Sequence, residues 1–303
     1  MISRRGFLKG LSRVGLGIAA LSSYAILIEP LLRQRTTQYD LKLRNWTPGL
    51  DLSIAVIADL HASEPWMSVR RIESIVEQTN KLNADLIVLL GDYSAGHRFV
   101  MERVHSDAWS KPLAQLKAPL GVHAILGNHD WWDDKGVQAI RRGPPYGRPA
   151  LERVGIPVYE NDAVRLTKNG RPFWLAGLGD QLAFWPTRRH YPGQRVGIDD
   201  LTATLRKTKE GEPVILLAHE PDILPRVPER VALVLSGHTH GGQVRLFGWS
   251  PIVPSRYGNR FAYGHVREQC DLIVSGGLGC SIVPVRLGVP PEIVLVKVSS
   301  AAA

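Results

Sequence analysis

The chain has 303 residues, with 37 lysine or arginine side chains against 28 aspartate or glutamate side chains, so its formal net charge is +9. The length fits one large α/β domain or two small ones, and the ordinary apolar content excludes wholesale disorder. The basic excess favours anionic substrates, lipid headgroups or wall polymers, although part of it lies near the N-terminus. The two cysteines, Cys270 and Cys280, exclude a disulfide framework and a multi-thiolate zinc site. They leave open one bridge or two free, buried thiols.

The N-terminal segment has the pattern of an export signal. A basic start, with the sequence SRRGFLK at residues 3–9, precedes a moderately apolar run at residues 14–28. The run is too short for a secure bilayer span, and the adjacent arginines resemble the leader that the twin-arginine translocase reads. We predict that residues 1–38 carry the folded chain to the periplasm or the outer face of the inner membrane. This leader is either cleaved near Ala25 or retained as a membrane anchor; a basic amphipathic helix is the alternative.

Residues 39–303 are predicted to form one domain, because they contain no internal repeat, heptad or long linker. Apolar strands are predicted at 52–58, 86–90 and 122–126, with an amphipathic helix at 69–82 between the first two. This alternation indicates an α/β core. Shorter strands are predicted at 163–166, 173–178, 214–218, 231–235, 272–275 and 293–298. Loops are predicted at 131–155 and 184–197, where proline, glycine and arginine recur.

Polar residues that can bind metal ions follow one predicted strand after another. The groups are Asp59-Leu60-His61, Gly91-Asp92, Gly127-Asn128-His129-Asp130, His219 and Gly237-His238-Thr239-His240. Residues two apart in extended chain project to the same side, and carboxyl ends of strands in an α/β sheet converge on ligand sites. Each group alone is compatible with an ordinary turn or a surface histidine. The ordered set of five predicts a single site.

The ligand types narrow the metal and the reaction. The groups offer imidazole, carboxylate and amide atoms without thiolate, a mixture that suits Mn, Fe or Zn. Seven of these side chains, taken as ligands, exceed what one ion with room for substrate needs. Two divalent metal ions that share a bridging carboxylate use all seven. Two such ions can polarise a phosphoryl group and turn a bridging water into hydroxide, which favours hydrolysis of a phosphoester.

On these residues the chain resembles the calcineurin-like metallophosphoesterases over about residues 51–298. The resemblance implies an α/β fold, a four-layer α-β-β-α sandwich of two mixed β-sheets flanked by helices. It implies that one ion is held by Asp59, His61 and His240, that Asp92 bridges, and that the second ion is held by Asn128, His219 and His238. His129 would face the substrate and protonate the leaving alkoxide. Asp130 would orient the His129 imidazole, or alternatively cap a helix.

The C-terminal part resembles a bacterial, membrane-associated branch that includes exported enzymes with twin-arginine leaders. The resemblance lies in the sequence GGQV at 241–244, in PSRYG at 254–258 and in GGLG at 276–279. The branch also resembles enzymes that split UDP-2,3-diacylglucosamine in lipid A synthesis. Arg256 or Arg286 would clamp a substrate phosphate, with a structural ion pair as the alternative for each. Tyr93-Ser94-Ala95 follow Asp92 without the Asp-Arg-Gly expected of Ser/Thr protein phosphatases, which argues against that activity.

Three functions remain open on the sequence. The first is an exported phosphomonoesterase or phosphodiesterase, acting on a phosphoester substrate that is lipid-linked or linked to the cell wall, with no nucleic acid expected as a partner. The second is a UDP-2,3-diacylglucosamine pyrophosphatase at the membrane, which the outward-pointing leader disfavours. The third is a non-catalytic metal-binding scaffold, which the complete ligand set disfavours. Trp131, Trp132, Phe184 and Trp185 flank the predicted site and either contact substrate or pack internally.

Overall fold

A computed structural model describes residues 4–94, 99–186 and 196–301. The strands β1 to β13 are, in chain order, Arg35–Leu43, Leu52–Ile57, Ser63–Glu64, Leu86–Leu89, Glu102–Arg103, Val122–Ala124, Asp162–Lys168, Arg171–Gly177, Val214–Leu217, Val231–Ser236, Gly264–Arg267, Asp271–Val274 and Glu292–Ser300. The helices α1 to α8 are Arg4–Ser23, Glu29–Leu32, Val69–Lys81, Ser106–Leu113, Asn128–Trp132, Lys135–Ile140, Gly147–Arg153 and Leu201–Arg206. Short 3₁₀ helices lie at Pro221–Arg226, His240–Gly242 and Gly258–Phe261.

The strands form two large mixed sheets and a small ribbon. The first sheet has the order β1-β13-β2-β4-β6, in which only the β13–β2 pair is antiparallel. The second has the order β11-β12-β10-β9-β8-β7, with antiparallel strands at its two edges. Strands β2, β4 and β6 run parallel, as do β9 and β10, so the loops after each set leave one edge of their sheet. The ribbon pairs β3 with β5.

The two sheets pack face to face with helices on both outer faces. Strand β2 shows the alternation that builds these layers, because successive side chains point to opposite faces of a sheet. Its Ile54 and Val56 belong to the core between the sheets, together with Ile215 and Leu233 of the second sheet. Its neighbouring side chains face the outer layer that contains Ile72 of α3. Helix α8 covers the outer face of the second sheet. The predicted four-layer sandwich is confirmed.

Predicted and observed elements differ where tertiary contacts decide the outcome. The predicted strands and the helix at 69–82 are present, but the prediction of a loop at 131–155 was wrong, because α6 and α7 lie there. Asp134 caps α6 through Val137 N at 3.0 Å, and Leu151 of α7 is fully buried. Strands β1 and β11 escaped prediction because both are edge strands with few apolar residues. Of the predicted loop 184–197, residues 187–195 lie outside the described residues.

The N-terminal helix runs from Arg4 to Leu32 through a π-helical turn at Tyr24–Ile28. Its 29 residues span about 43 Å, more than the roughly 30 Å of a bilayer core. By length and composition it is the one helix of the described chain that could cross a membrane, a property that export signals share. The expectation of too short a span is thereby corrected, because the helix continues beyond residues 14–28 in both directions. Within Arg4–Ser23 no residue is buried.

The end of this helix docks on the domain. The carbonyl of Ala25 accepts a hydrogen bond from Arg286 N at 2.9 Å, and Glu29 Oε1 accepts one from Val289 N at 2.8 Å. Glu29 is buried, and β1 begins at Arg35, before the predicted domain boundary at residue 39. The domain contacts therefore begin near residue 25.

Both cysteines, Cys270 and Cys280, are free and buried. Burial raises the pKa of the Cys270 thiol to about 12 and also raises the pKa of the Cys280 thiol. The interpretation of two free thiols is confirmed, and both side chains act as small apolar residues.

Candidate metal centre

The seven predicted metal ligands lie in the loops that follow β2, β4, β6, β9 and β10. All are buried, and their ligand atoms form a connected set. The ligands are Asp59, His61, Asp92, Asn128, His219, His238 and His240. Residues far apart in the chain thus share one pocket between the two sheets, as the strand-end pattern predicts.

The first group consists of Asp59, His61 and His240. The Nε2 atoms of the two histidines lie 3.0 Å apart, and His240 Nε2 lies 3.7 Å from Asp59 Oδ1. The position of Asp59 Oδ1 is fixed, because this atom accepts a hydrogen bond from His238 N at 2.9 Å. The three side chains can therefore point their donor atoms at one cation.

The second group consists of Asp92, His219 and His238. His219 Nε2 lies 3.3 Å from Asp92 Oδ2, and its Nδ1 donates to Leu90 O at 2.6 Å. That bond leaves Nε2 as the atom available to a cation. Asn128 Oδ1 lies 2.7 Å from His238 Nδ1 and so joins this group.

Asp92 lies between the two groups. Its Oδ2 is 3.5 Å from His61 Nε2 in the first group and 3.3 Å from His219 Nε2 in the second. Its Oδ1 accepts a hydrogen bond from His129 N at 2.8 Å, which fixes the carboxylate plane. A carboxylate held in this way can bridge two cations.

Five of the seven ligands have left-handed backbone conformations. The φ angles are 54° at Asp59, 48° at His61, 56° at Asp92, 69° at His238 and 50° at His240. Such conformations are uncommon outside glycine and cost roughly 1–3 kcal/mol each, so they persist only where surrounding contacts enforce them. Here the left-handed conformations turn the backbone sharply after each strand and direct the ligands of each loop into the pocket.

Glycine is required beside the ligands because backbone approaches them closely. A Cβ at Gly127 would lie 2.4 Å from Asp92 Oδ1 and 2.6 Å from His219 Cε1. A Cβ at Gly237 would lie 2.6 Å from Asp59 Oδ2. These two glycines of the sequence groups therefore leave room for ligand side chains.

The electrostatics of the pocket follow from burial and from the mixture of acids and histidines. Burial, partly offset by His219, raises the pKa of Asp59 to about 7. Burial opposes ionisation of Asp92, but the attraction of His219 outweighs it and holds the pKa of Asp92 well below its usual range. Burial lowers the pKa of His238 to about 4 and that of His240 well below its ordinary value. His238 and His240 are therefore neutral, the form of imidazole that binds cations.

The pocket has the properties of a cation site. Asp59 Oδ2 and His219 Nε2 are buried and have no hydrogen-bond partner, a costly arrangement that a cation would relieve. The donor atoms are imidazole nitrogen and carboxylate or amide oxygen, and thiolate is absent from the described groups. Two divalent metal ions fit this donor set, with Mn, Fe and Zn compatible in chemistry.

His129 lies at the edge of the pocket and is less buried than the ligands. Its ring belongs to a third group with His61 and Asp92. Its Nδ1 lies 3.8 Å from Asp133 Oδ2, and its Nε2 lies 3.3 Å from Ser281 Oγ. Burial opposes charge on this ring, but Asp92 and then Asp133 outweigh it and raise the pKa of His129.

The expectation that Asp130 orients the His129 ring was wrong. Asp130 Oδ2 accepts hydrogen bonds from Gly127 N and Asp92 N, and Oδ1 accepts one from Tyr93 N, all at 2.9 Å. Both oxygens are thus engaged by backbone, as in the alternative of a helix cap. Asp130 joins the loops after β4 and β6, and the carboxylate that faces the His129 ring is Asp133.

The arginines proposed as phosphate clamps have structural partners. Arg286 is completely buried and donates to Val289 O at 2.9 Å and to Gly276 O at 2.9 Å, and its Nη2 lies 3.2 Å from His240 Nδ1. Arg256 donates through its backbone N and its Nε to Asp222 Oδ2. The alternative of a structural ion pair holds for Arg256. Arg286 also has a structural role, but through backbone carbonyls, and it supports the His240 ring from behind.

Two acidic residues beside the site escaped prediction. Asp180 and Glu220 are buried, and each has one carboxylate oxygen without a hydrogen-bond partner. Burial and then the charge of Glu220 raise the pKa of Asp180 well above its usual value. Asp180 follows a buried strand in the sequence Gly-Leu-Gly-Asp, and Glu220 follows His219 directly. The strand-end rule that found Asp92 could have found Asp180.

The aromatic residues divide between core and surface. Trp131 and Phe184 are buried against each other, with ring centroids 5.5 Å apart. The Trp132 ring packs against His129 at 5.2 Å and against Trp185 at 4.5 Å, and Trp185 is exposed. The first pair therefore stabilises the core, whereas the second borders the pocket.

Comparison with known proteins decides the family. The model of the calcineurin-like phosphoesterase family matches residues 52–242, which contain all seven ligands. The chain belongs to this family. Metallophosphoesterases are metal-dependent phosphoesterases, and this chain is one of them.

Three relatives illustrate the similarity. The uncharacterized metallophosphoesterase YkuE of Bacillus subtilis is 29% identical over 308 residues, which cover 99% of this chain and 98% of that protein. A Caenorhabditis elegans relative is 31% identical over 258 residues, or 82% of this chain and 48% of its own length. A transmembrane protein with metallophosphoesterase domain from Danio rerio is 30% identical over 255 residues, or 80% of this chain and 52% of that protein. The chain therefore spans about half the length of the two animal relatives.

Proposed function

We propose that this metallophosphoesterase hydrolyses phosphodiesters or phosphomonoesters at a two-metal centre outside the cytoplasm. The observation that carries the proposal is the position of Asp92, whose Oδ2 lies within 3.5 Å of ligand atoms from both groups. Asp59, His61 and His240 would hold one ion, and Asn128, His219 and His238 the other. When bound, two such ions polarise a phosphoryl group and activate a water molecule for in-line attack.

The chain's own residues supply proton transfer and orientation. His129 is less buried than the ligands, and its Nε2 would donate a proton to the leaving oxygen. Asp133 lies behind its Nδ1 and stabilises the charged ring. Ser281 Oγ lies 3.3 Å from Nε2 and holds the ring in place until substrate binds.

The test is a hydrolysis screen with the purified, Mn-loaded full chain. The substrates are bis(4-nitrophenyl) phosphate, 4-nitrophenyl phosphate, UDP-2,3-diacylglucosamine and wall teichoic acid fragments. We expect turnover of the diester or the monoester, and a loss of roughly 10²–10⁴-fold in His129→Ala with unchanged metal content. Absence of turnover on all four substrates by a fully metal-loaded chain would refute the proposal. Undiminished turnover in His129→Ala would refute the role of that residue.

We also propose that the N-terminal helix is a leader for the twin-arginine translocase and then a retained anchor at the outer face of the inner membrane. Arg4 and Arg5 at its start and its unburied apolar surface support this proposal. The docking of Ala25 and Glu29 on the domain supports retention. Replacing Arg4 and Arg5 by lysine should leave the chain in the cytoplasm, as protease treatment of spheroplasts would show. A purified chain that begins near residue 26 would contradict retention.

A further inference from the structure

Large apolar side chains protrude from two loops near the metal centre. The first loop, residues 246–252, exposes Phe247 to 107% and Ile252 to 78% of their reference areas. The second loop, residues 281–285, exposes Ile282 to 72%. We call this surface the apolar rim; it consists of Leu246, Phe247, Trp249, Ile252, Ile282 and Val283, all exposed. Single exposed apolar residues are common in soluble proteins, but six in two neighbouring loops mark an interaction surface.

Hydrogen bonds join the two loops into one surface. Leu246 and Trp249 close the first loop through backbone bonds in both directions, at 2.9 and 3.0 Å. The side chain of Gln243 spans the gap: its Oε1 accepts from Ser281 N at 2.6 Å, and its Nε2 donates to Val283 O at 3.1 Å. The rim is therefore held in a fixed arrangement.

The tips of both loops carry backbone strain. The φ angle is 52° at Phe247 and 62° at Ile282, and the left-handed region is especially unfavourable for a β-branched residue such as isoleucine. Neither side chain gains a buried position from this conformation, since both point into solvent. Strain that displays apolar groups outward indicates a function for the display.

The base of the rim is attached to the end of the N-terminal helix. Arg286, close behind Val283 in the chain, donates its backbone N–H to Ala25 O at 2.9 Å. Leu27, Ile28 and Leu32, at this end of the helix, are themselves exposed. The apolar surface of the helix thus continues toward the rim. A bilayer that covers the helix would lie against the neighbouring loops.

The rim also borders the metal centre. Ser281, the first residue of the second loop, contacts His129, and Gln243 follows the ligand segment His240-Gly241-Gly242. Phenylalanine, tryptophan and aliphatic side chains are the residues that enter the interfacial layer of a membrane. One helix alone would leave the domain free to turn about its axis, whereas a second contact fixes its orientation.

We infer that the apolar rim inserts into the bilayer surface beside the N-terminal helix and turns the pocket toward lipid-linked phosphoesters. The insertion rests on the proposed retention of the N-terminal helix as an anchor, and the second half of the statement rests in addition on the proposed phosphoesterase activity. The bilayer is the occupant because the helix that could cross it is joined to the base of the rim.

The insertion is tested with a dye in proteoliposomes of phosphatidylglycerol and phosphatidylethanolamine. Phe247→Cys in the full chain is labelled with nitrobenzoxadiazole, while the buried Cys270 and Cys280 are shielded from the reagent. The matched control is Glu210→Cys, exposed in the loop before β9 and hence at the end of that strand opposite to His219. We expect a blue shift and quenching by brominated lipid at position 247 and neither at position 210. A dye at 247 that stays in water overturns the inference, and so does a shift without vesicles that grows with protein concentration, which indicates a second copy.

The consequence for substrate is tested with a rim variant that carries Phe247→Ser, Trp249→Ser and Ile282→Ser. The ratio of the rate on vesicle-embedded hexadecyl 4-nitrophenyl phosphate to the rate on bis(4-nitrophenyl) phosphate should fall about tenfold or more. Glu210→Ser should keep the wild-type ratio. An unchanged ratio in the rim variant overturns delivery from the bilayer. No turnover of either diester by the wild type refutes the proposed function and leaves the dye result to decide the insertion.

Discussion

Replacement of Gly127 by alanine should remove metal from the centre while leaving the fold intact. Gly127 has φ −113° and ψ 175°, an extended conformation that any residue adopts, so the substitution adds no backbone strain. It adds one methyl group in a space that ligand atoms already fill. The contact at 2.4 Å with Asp92 Oδ1 is about 1 Å shorter than an ordinary van der Waals contact.

The magnitude follows from how firmly the neighbours are held. Asp92 Oδ1 accepts from His129 N, and the His219 ring donates to Leu90 O, so neither can retreat without losing a hydrogen bond. Overpacking of this kind costs about 1–3 kcal/mol of stability. A metal site tolerates ligand displacements of about 0.2 Å, so a shift of about 1 Å should lower metal affinity by roughly 100-fold or more.

The assay compares Gly127→Ala with Gly147→Ala, a buried glycine where the nearest atom to an added Cβ is 3.7 Å away. We expect Gly147→Ala to bind the wild-type amount of Mn by elemental analysis. Gly127→Ala should bind less than half of it and hydrolyse bis(4-nitrophenyl) phosphate at a small fraction of the wild-type rate. Circular dichroism establishes that both variants are folded. Full metal content and normal turnover in Gly127→Ala would refute the packing argument.

Three further outcomes are expected. Glu29→Ala leaves Val289 N buried without an acceptor and should lower the free energy of unfolding by about 1–3 kcal/mol in a denaturant titration, whereas Glu29→Gln keeps an acceptor and should cost less. Asp133→Asn should keep both metals but lower turnover about tenfold by weakening support of the charged His129 ring; equal loss of metal would show a structural role instead. Chelation of the metals should lower the unfolding free energy by about 3 kcal/mol for each of the two sites relative to a Mn concentration near 100 Kd, and an unchanged thermal midpoint would argue against specific binding.

The clustering of the seven candidate ligands could be predicted from the sequence because metal chemistry restricts both residue type and position. Asp59, Asp92 and His238 each lie within three residues of the end of an apolar strand, and parallel strands bring such positions to one edge. The α/β core of the sandwich could also be predicted, because its central strands are continuous apolar runs. Edge strand β1 carries mostly polar residues, so its existence depends on pairing with β13 and not on its own pattern.

The residues that support the metal ligands and His129 could not be predicted from the pattern of polar residues at strand ends. Ser281 reaches His129 from a loop 152 positions along the chain, and that separation carries no local signal. Asp130 is a carboxylate next to His129 in the sequence and could therefore orient its ring. Its oxygens instead accept hydrogen bonds from three backbone N–H groups that have no other acceptor. Local sequence thus identifies candidate site residues, whereas the hydrogen-bonding needs of buried backbone donors determine what each residue does.

The fate of the N-terminal segment follows from the same accounting of buried groups. The leader was predicted to end at residue 38, yet Arg286 and Val289 donate backbone N–H groups to Ala25 and Glu29. Those donors are buried, so loss of their acceptors would lower the free energy of unfolding of the domain. One of them, Arg286, also contacts the His240 ring. The last part of the helix, from Ala25 to Glu29, therefore contacts the domain through buried hydrogen bonds, whatever becomes of the residues before it.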